Sequence, residues 1–378
     1  MKYLSYITFI FVAVFLCLPA CKKMDFNYKK YIDQTNSYYP GKPVNVKFHP
    51  GKNRAMISWN RGTDPKVVKA RIYWNNFTDS VEVLLDPKQD SVAHIFTGLS
   101  EMVYTYTLCA MDEEGHKSVP IELSGAVYGD RYQGTLLSRP MLAAVISADK
   151  KLRMVWGSAD TTNGAVGTQV KYTDAAGKTI VKRYPAKKDT SVAEDVRSSA
   201  GFEYRTLYLP DSLAIDTFYT AYEKVNSEQM QVDRSTWIAT ADSYELYGQL
   251  PSGHPRMVLD GNVDTYWHTN HSQSPVTGYP HWLAFDMTAK VKVQKIVLQS
   301  RAAYFKEDFT NFKMQSSNDG ITWADEGSFV LAETPDPQFF ILPNAPVTRY
   351  IRIYQLGNAT GSPHSHLAEF SIYGSYVE

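Results

Sequence analysis

Apolar and polar residues alternate along most of the chain beyond Lys42. Val44, Val46 and Phe48 alternate with polar partners, and Tyr104, Tyr106 and Leu108 alternate with Thr105 and Thr107. Far downstream, Ile351 and Ile353 alternate with Tyr350, Arg352 and Tyr354. Successive side chains of an extended chain point to opposite faces, so each run predicts a strand with one dry face and one polar face. Turn clusters separate the runs: His49-Pro50-Gly51-Lys52-Asn53, Asp64-Pro65, Asp112-Glu113-Glu114-Gly115 and Asn318-Asp319-Gly320. Short strands, frequent turns and no long amphipathic helical pattern predict an all-β chain of sandwiches.

The first half repeats itself. Met56-Ile57-Ser58-Trp59 pairs with Arg153-Met154-Val155-Trp156, Ala70-Arg71-Ile72-Tyr73-Trp74 with Thr168-Gln169-Val170-Lys171-Tyr172, and Tyr104 with Tyr204. A period of roughly a hundred residues is the size of an immunoglobulin-like sandwich, with a tryptophan of an early strand plugging the core. Gly98-Leu99 ahead of Val103-Tyr104-Thr105-Tyr106 resembles the turn and tyrosine corner of fibronectin type III domains, with spacing one residue off their pattern. The resemblance implies two such units, 43–137 and 138–232, acting as spacer and platform. The same region is similar to an uncharacterised domain family found ahead of the module described below. Ala176-Gly177-Lys178-Thr179 ends like a phosphate-binding loop, but that motif needs glycine at position 172, which is tyrosine. It reads as a hairpin turn.

Charge and cysteines narrow the partners. The formal net charge is zero, with 39 basic and 39 acidic residues and no long basic run, so nucleic acid is not an expected partner. At the N-terminus Lys2 precedes an apolar run over 7–18 that is too short to span a bilayer. Leu18-Pro19-Ala20-Cys21 resembles the lipobox of bacterial lipoproteins. The resemblance implies a signal peptide over 1–20, a lipidated Cys21, and a polar, tyrosine-rich tether over 21–42. It places the chain in the bacterial cell envelope as an outer-membrane lipoprotein, on the membrane through its lipid, with the face open. Of three cysteines, Cys17 leaves with the signal and Cys21 is acylated, so only Cys109 remains and no internal disulfide forms.

Beyond Ser235 the motifs become specific. In order come Trp237 to Ser243, Leu259-Asp260-Gly261-Asn262-Val263-Asp264-Thr265-Tyr266-Trp267-His268-Thr269, His281-Trp282-Leu283-Ala284-Phe285-Asp286, and Ile296 to Arg301. They are followed by Phe312 to Trp323, Arg349-Tyr350-Ile351-Arg352-Ile353 and Ala368-Glu369-Phe370 to Gly374. Order and spacing resemble the coagulation factor 5/8 type C, or discoidin, domain, and carbohydrate-binding module family 32 is its bacterial glycan-binding branch. The resemblance covers 235–378 and implies a galactose-binding-like jelly-roll sandwich.

It also implies a structural Ca²⁺, held by side chains of Asp260, Thr265 and Glu369 and carbonyls of Met257, Asn262, Thr265 and Ala368. Hard oxygen donors on a tight loop suit that ion; the same residues also suit a plain hydrogen-bonded turn. For sugar the implied contacts are His268 and Arg301, with Tyr266 and Tyr304 as aromatic platforms and Asn311 and His364 as further contacts. The asparagine usual soon after that arginine is missing: Ala302-Ala303-Tyr304 stands there. The pairs His268/His271 and His364/His366 raise zinc as an alternative, though no helical His-Glu-x-x-His frame exists. With no Gly-x-Ser-x-Gly elbow, Cys-His pair or spaced carboxylate couple, catalysis is not expected. The leading expectation is a non-catalytic, membrane-anchored lipoprotein that captures glycans. The alternative is a protein-binding, assembly or adhesion module acting on other envelope proteins.

Overall fold

The computed structural model describes residues 38–377. The expected signal peptide over 1–20 and lipidated Cys21 lie outside the described residues. The fold is all-β, in two compact units, Met1–Gly129 and Asp130–Glu378.

In the first unit β1 (Val44–Pro50), β2 (Arg54–Asn60) and β5 (Ser91–Thr97) form one sheet. The other holds β4 (Asp79–Leu84), β3 (Lys69–Trp74), β6 (Val103–Met111) and β7 (Ile121–Ala126), in that order. The inward residues Ile57 and Trp59 of one sheet meet Ile72, Tyr106 and Leu108 of the other, all essentially buried. The Tyr104 hydroxyl accepts from the Ser100 amide at 3.0 Å, tying the β5–β6 loop to the strand it precedes. Cys109 is a free, buried thiol.

The second unit opens with a sheet of β11 (Thr179–Pro185), β10 (Ala165–Thr173) and β13 (Phe202–Tyr208), extended by β14 (Phe218–Tyr219) and β15 (Glu223–Val225). Facing it are β8 (Met141–Ile146), β9 (Leu152–Trp156) and β12 (Thr190–Ala193). Trp156 packs 5.2 Å from Tyr204 and donates its indole N–H to Ser191 Oγ. The Tyr204 hydroxyl donates to Glu223 rather than holding a turn, so the two repeat tyrosines differ in role.

Two residues weld this sandwich to the next. Strand β16 (Gln231–Val232) pairs in parallel with Val145 and Ile146 of β8, and Gln231 pairs with Tyr373 of the last strand, β25 (Glu369–Tyr376). One continuous sheet therefore runs from the second sandwich into the third. Met230 and Val232 are fully buried at the junction, and Ser198 Oγ donates to the Tyr376 carbonyl.

The third sandwich is organised by its longest strand, β19 (His281–Gln299). Its first part pairs with β17 (Ile238–Ala241) and β23 (Val347–Asn358). After a register shift between Asp286 and Val291, where Thr288 has φ 62°, its second part pairs with β25 and β22 (Gln338–Ile341). Strands β20 (Phe309–Ser317) and β21 (Ala324–Val330) complete the sheet beyond β23. Phe285, Phe312, Ile351, Ile353 and Phe370 fill the core, with Phe285 stacked on Phe370 at 4.2 Å. At one end a short ribbon, β18 (Trp267–His268) against β24 (His366–Leu367), gathers the loops that follow.

Candidate functional site at the loop end of the third sandwich

The ribbon decides which side chains meet. Trp267 is fully buried and donates its indole N–H to the Ser243 carbonyl, so the loop tryptophan is an anchor. Register then puts His268 opposite His366. The His268 ring lies 5.0 Å from His271, 5.4 Å from His366 and 5.9 Å from His364. Burial lowers the His268 pKa to about 4, so the ring is neutral at pH 7. Its Nδ1 lies 2.7 Å from the Thr269 carbonyl oxygen, which only accepts, so Nδ1 carries the proton and Nε2 is the nitrogen left without a protein partner.

Arg301 forms the lip. Its guanidinium lies 3.6 Å from the Tyr266 ring and 5.1 Å from Tyr304. Tyr304 is mostly exposed and sits at φ 68°, a left-handed conformation that a bulky residue rarely adopts. No hydrogen-bond acceptor engages Arg301 among the described residues, so its donors are open.

Beneath the lip is a buried polar floor. Asp308 is 2 % exposed and pairs with the equally buried His366, with the Ser300 hydroxyl beside it. Burial raises the Asp308 pKa. His364 Nδ1 is enclosed without a hydrogen-bond partner, while His271 Nε2 lies 3.6 Å from Glu245.

Five of the six expected sugar contacts, His268, Arg301, Tyr266, Tyr304 and His364, are thus brought together. Asn311 is not: it sits in β20 between Val330 and Gly357, exposed, and its amide reaches only Thr310 Oγ1 at 3.5 Å. Tyr279 is a strut whose hydroxyl donates to the His364 carbonyl. The four imidazoles do not form a ready zinc site. Among the described residues the one group with three ligand atoms within 4.8 Å is Asp112, Glu114 and His116, in the first unit.

The expected calcium residues also cluster. Asp260 accepts from the Asn262 amide (2.9 Å) and the Thr265 hydroxyl (2.6 Å), and Glu369 accepts from the Gly261 amide (2.9 Å). The Met257 and Asn262 carbonyls accept from the Asp260 and Thr265 amides, and Ala368 is fully buried beside Glu369. Burial, with the nearby Asp260 charge adding to it, pushes the Glu369 pKa up to about 7 despite the Arg234 guanidinium on its other oxygen. Two carboxylates and several carbonyls on one tight loop are hard oxygen donors of the kind that fit a calcium ion.

Three fasteners are not among the expected site residues. Arg234 binds Glu369, Ser371 and the Phe370 carbonyl. His281 is fully buried and bridges Asp242 and the Pro363 carbonyl at 2.7 Å each. Glu245 collects the amides of Tyr247, Gly248, His271 and Ser272 plus the Ser272 hydroxyl.

Comparison with known sequences places both halves. A family model for DUF4998, a domain of unknown function, matches residues 21–218. The chain belongs to this family. A second model, the F5/8 type C domain, matches residues 238–370, so the third sandwich is a domain of that type. Among curated relatives, a sialidase of Micromonospora viridifaciens is 29 % identical over 140 residues, 36 % of this chain and 21 % of the sialidase. A galactose oxidase of Gibberella zeae is 26 % identical over 146 residues, 38 % of this chain and 20 % of the oxidase. The chain thus spans about a fifth of these relatives. Among solved structures, the C-terminal domain of a Bacteroides fragilis chitobiase is 21 % identical with a TM-score of 0.36, covering 39 % of this chain and 99 % of that one. The family 32 carbohydrate-binding module of Clostridium perfringens NanJ, in complex with galactose, is 22 % identical with a TM-score of 0.33, covering 38 % and 97 %.

Proposed function

We propose that this chain is a non-catalytic glycan-binding lipoprotein of the bacterial outer membrane, anchored through Cys21, that takes polysaccharide or glycoconjugate at the loop end of its F5/8 type C domain. The observation that carries this reading is Arg301, held between Tyr266 and Tyr304 with its donors free, beside a neutral His268 whose Nε2 can only accept. A pyranose offers both counterparts. Its hydroxyls accept from the guanidinium and donate to the imidazole, while its C–H face lies on a tyrosine ring. Residues 43–232 then serve as fibronectin-III-like spacers. The second of these is built into the same sheet as the binding domain, which fixes the direction in which the loop end points from it.

Calcium belongs to the same proposal, held by Asp260, Thr265 and Glu369 with the carbonyls of Met257, Asn262, Thr265 and Ala368. The ion supplies charge compensation to the loop that carries Tyr266 and His268 and takes no part in sugar chemistry.

A glycan array of the mature chain, repeated in chelator, tests both parts. Hits that vanish in Arg301→Ala and His268→Ala support the site, and hits weakened by chelator support the ion. An empty array from folded protein rejects glycan binding and leaves assembly with other envelope proteins as the role.

A further inference from the structure

The solvent face of an antiparallel sheet is ordinarily covered by polar side chains. On the F5/8 type C domain that polar cover is interrupted by Ile238, Ala284 and Trp282. Cross-strand register aligns Ile238, Asp286 and Tyr350 in one row, Thr240, Ala284, Arg352 and Gln315 in the next, and Trp282, Tyr354 and Lys313 in a third. The small side chains of Ala284 and Thr240 leave a trough between larger neighbours. Trp282, Tyr350 and Trp323 wall it, and Gly320, at φ 75°, lets the β20–β21 turn close against the Tyr350 ring. The resulting cavity is about 340 Å³, within the range of small-ligand sites. It shares no lining residue with the Arg301 cluster.

The charges of the trough are unequally matched. Asp286 takes two hydrogen bonds of 2.8 Å from Arg349 and a third from the Thr288 amide. Asp325 is held by Lys313 Nζ at 2.7 Å and Gln315 Nε2 at 2.6 Å. Both carboxylates are therefore spent on cations or amides of their own. Arg352 makes no ion-pair contact and feels Asp325 only at longer range: its Nε donates to Gln315 Oε1 at 2.8 Å, and its guanidinium lies 4.2 Å from the Trp323 ring. The two terminal nitrogens have no acceptor among the described residues. A planar fork of free donors, fixed by stacking, is the geometry that receives a carboxylate in bidentate fashion.

We propose that this trough is a second saccharide site, selective for an acidic sugar, separate from the loop-end site. A uronate residue has what the trough lacks: one carboxylate for Arg352 and an apolar C–H face for the indoles of Trp282 and Trp323. An oligosaccharide lying across β17, β19 and β23 would make its sheet-face contacts independently of the loops.

The test is titration calorimetry of the full mature chain with tetragalacturonate and, as neutral control, lactose. Arg352→Met keeps the stacking stem and removes the fork; Trp323→Ala removes one wall. The expected result is at least a tenfold loss of tetragalacturonate affinity in each, with lactose binding and melting temperature unchanged. Arg301→Ala is expected to leave tetragalacturonate affinity within twofold while lowering lactose affinity, which separates failure of one site from failure of the other. Wild-type protein that does not bind tetragalacturonate, unchanged affinity in Arg352→Met, or loss of tetragalacturonate binding only in Arg301→Ala would each overturn the proposal. Nuclear magnetic resonance mapping guards against misfolded variants: in the unmodified chain tetragalacturonate should shift the Trp323 and Trp282 indole N–H signals, and their silence rejects the trough.

Discussion

The Glu245 amide donates to the His268 carbonyl at 2.9 Å, and the two residues are almost equally buried, at 1 % and 7 % exposure. Glu245 accepts five hydrogen bonds, four from backbone amides of its own and the 271–272 turn. Burial alone would raise its pKa, yet those donors hold it well below the ordinary glutamate value. His268 makes one side-chain hydrogen bond and keeps a bare nitrogen above the buried Asp308–His366 pair. A sealed carboxylate fastens loops. An unsealed imidazole with a free arginine beside it leaves hydrogen-bonding capacity for something outside the chain.

Removing the sealed partner should do the greater damage. Glu245→Ala leaves four part-buried amides without their acceptor and is expected to cost about 2–3 kcal/mol in denaturant unfolding. His268→Gln, by contrast, should change stability at pH 7.5 by roughly 1 kcal/mol or less. Equal effects would erase the distinction drawn here.

Acidification separates two histidines by sign. His268 has a folded pKa depressed from 6.5 to about 4, so its contribution is present above pH 6.5 and is lost as pH falls through 4. The full span of that shift is on the order of 3 kcal/mol. Burial also works against charge on His281, but Asp242 and the Pro363 carbonyl outweigh it and the folded pKa is raised. Its contribution is complete below 6.5 and disappears as pH rises through the folded value. Unfolding curves from pH 4 to 8 should therefore lose a large part of the acid limb in His268→Gln and part of the alkaline limb in His281→Gln. An acid limb identical to wild type in His268→Gln would refute the assignment.

Binding should show the reverse order. Arg301→Ala is expected to weaken glycan affinity about tenfold or more, roughly 1.4 kcal/mol, while leaving the melting temperature within a degree or two, because no protein acceptor is lost. A large drop in melting temperature would make Arg301 another fastener.

Alternation made the fold legible wherever one sheet face is dry, as at Tyr350 to Tyr354, and turn residues marked its corners. The weld at Gln231 and Val232 was not legible, since two residues carry no period and their partners lie in β8 and β25, far away in the chain. The site followed the same division. His268, Arg301 and Tyr266 stand in motifs whose spacing is local. Glu245, His281 and Arg234 act on backbone groups or carboxylates up to 136 residues away, and a lone charged residue does not announce such partners. Asn311 was the opposite error: a polar residue close in sequence to the site, carried away from it by the strand it occupies.

Tyr304 and Asn311 give the finest test of where the site ends. Tyr304 is 60 % exposed, holds an unfavourable left-handed conformation and faces Arg301 across 5.1 Å. Tyr304→Ala removes a platform and one side of the guanidinium stack, and should weaken binding a few-fold, about 0.5–1 kcal/mol. Asn311→Ala should leave the measured affinity unchanged, since its amide meets only Thr310. If Asn311→Ala weakened binding as much as Tyr304→Ala, the ligand would have to extend along β20, and the contrast between an open loop end and a closed strand surface would move outward by several residues.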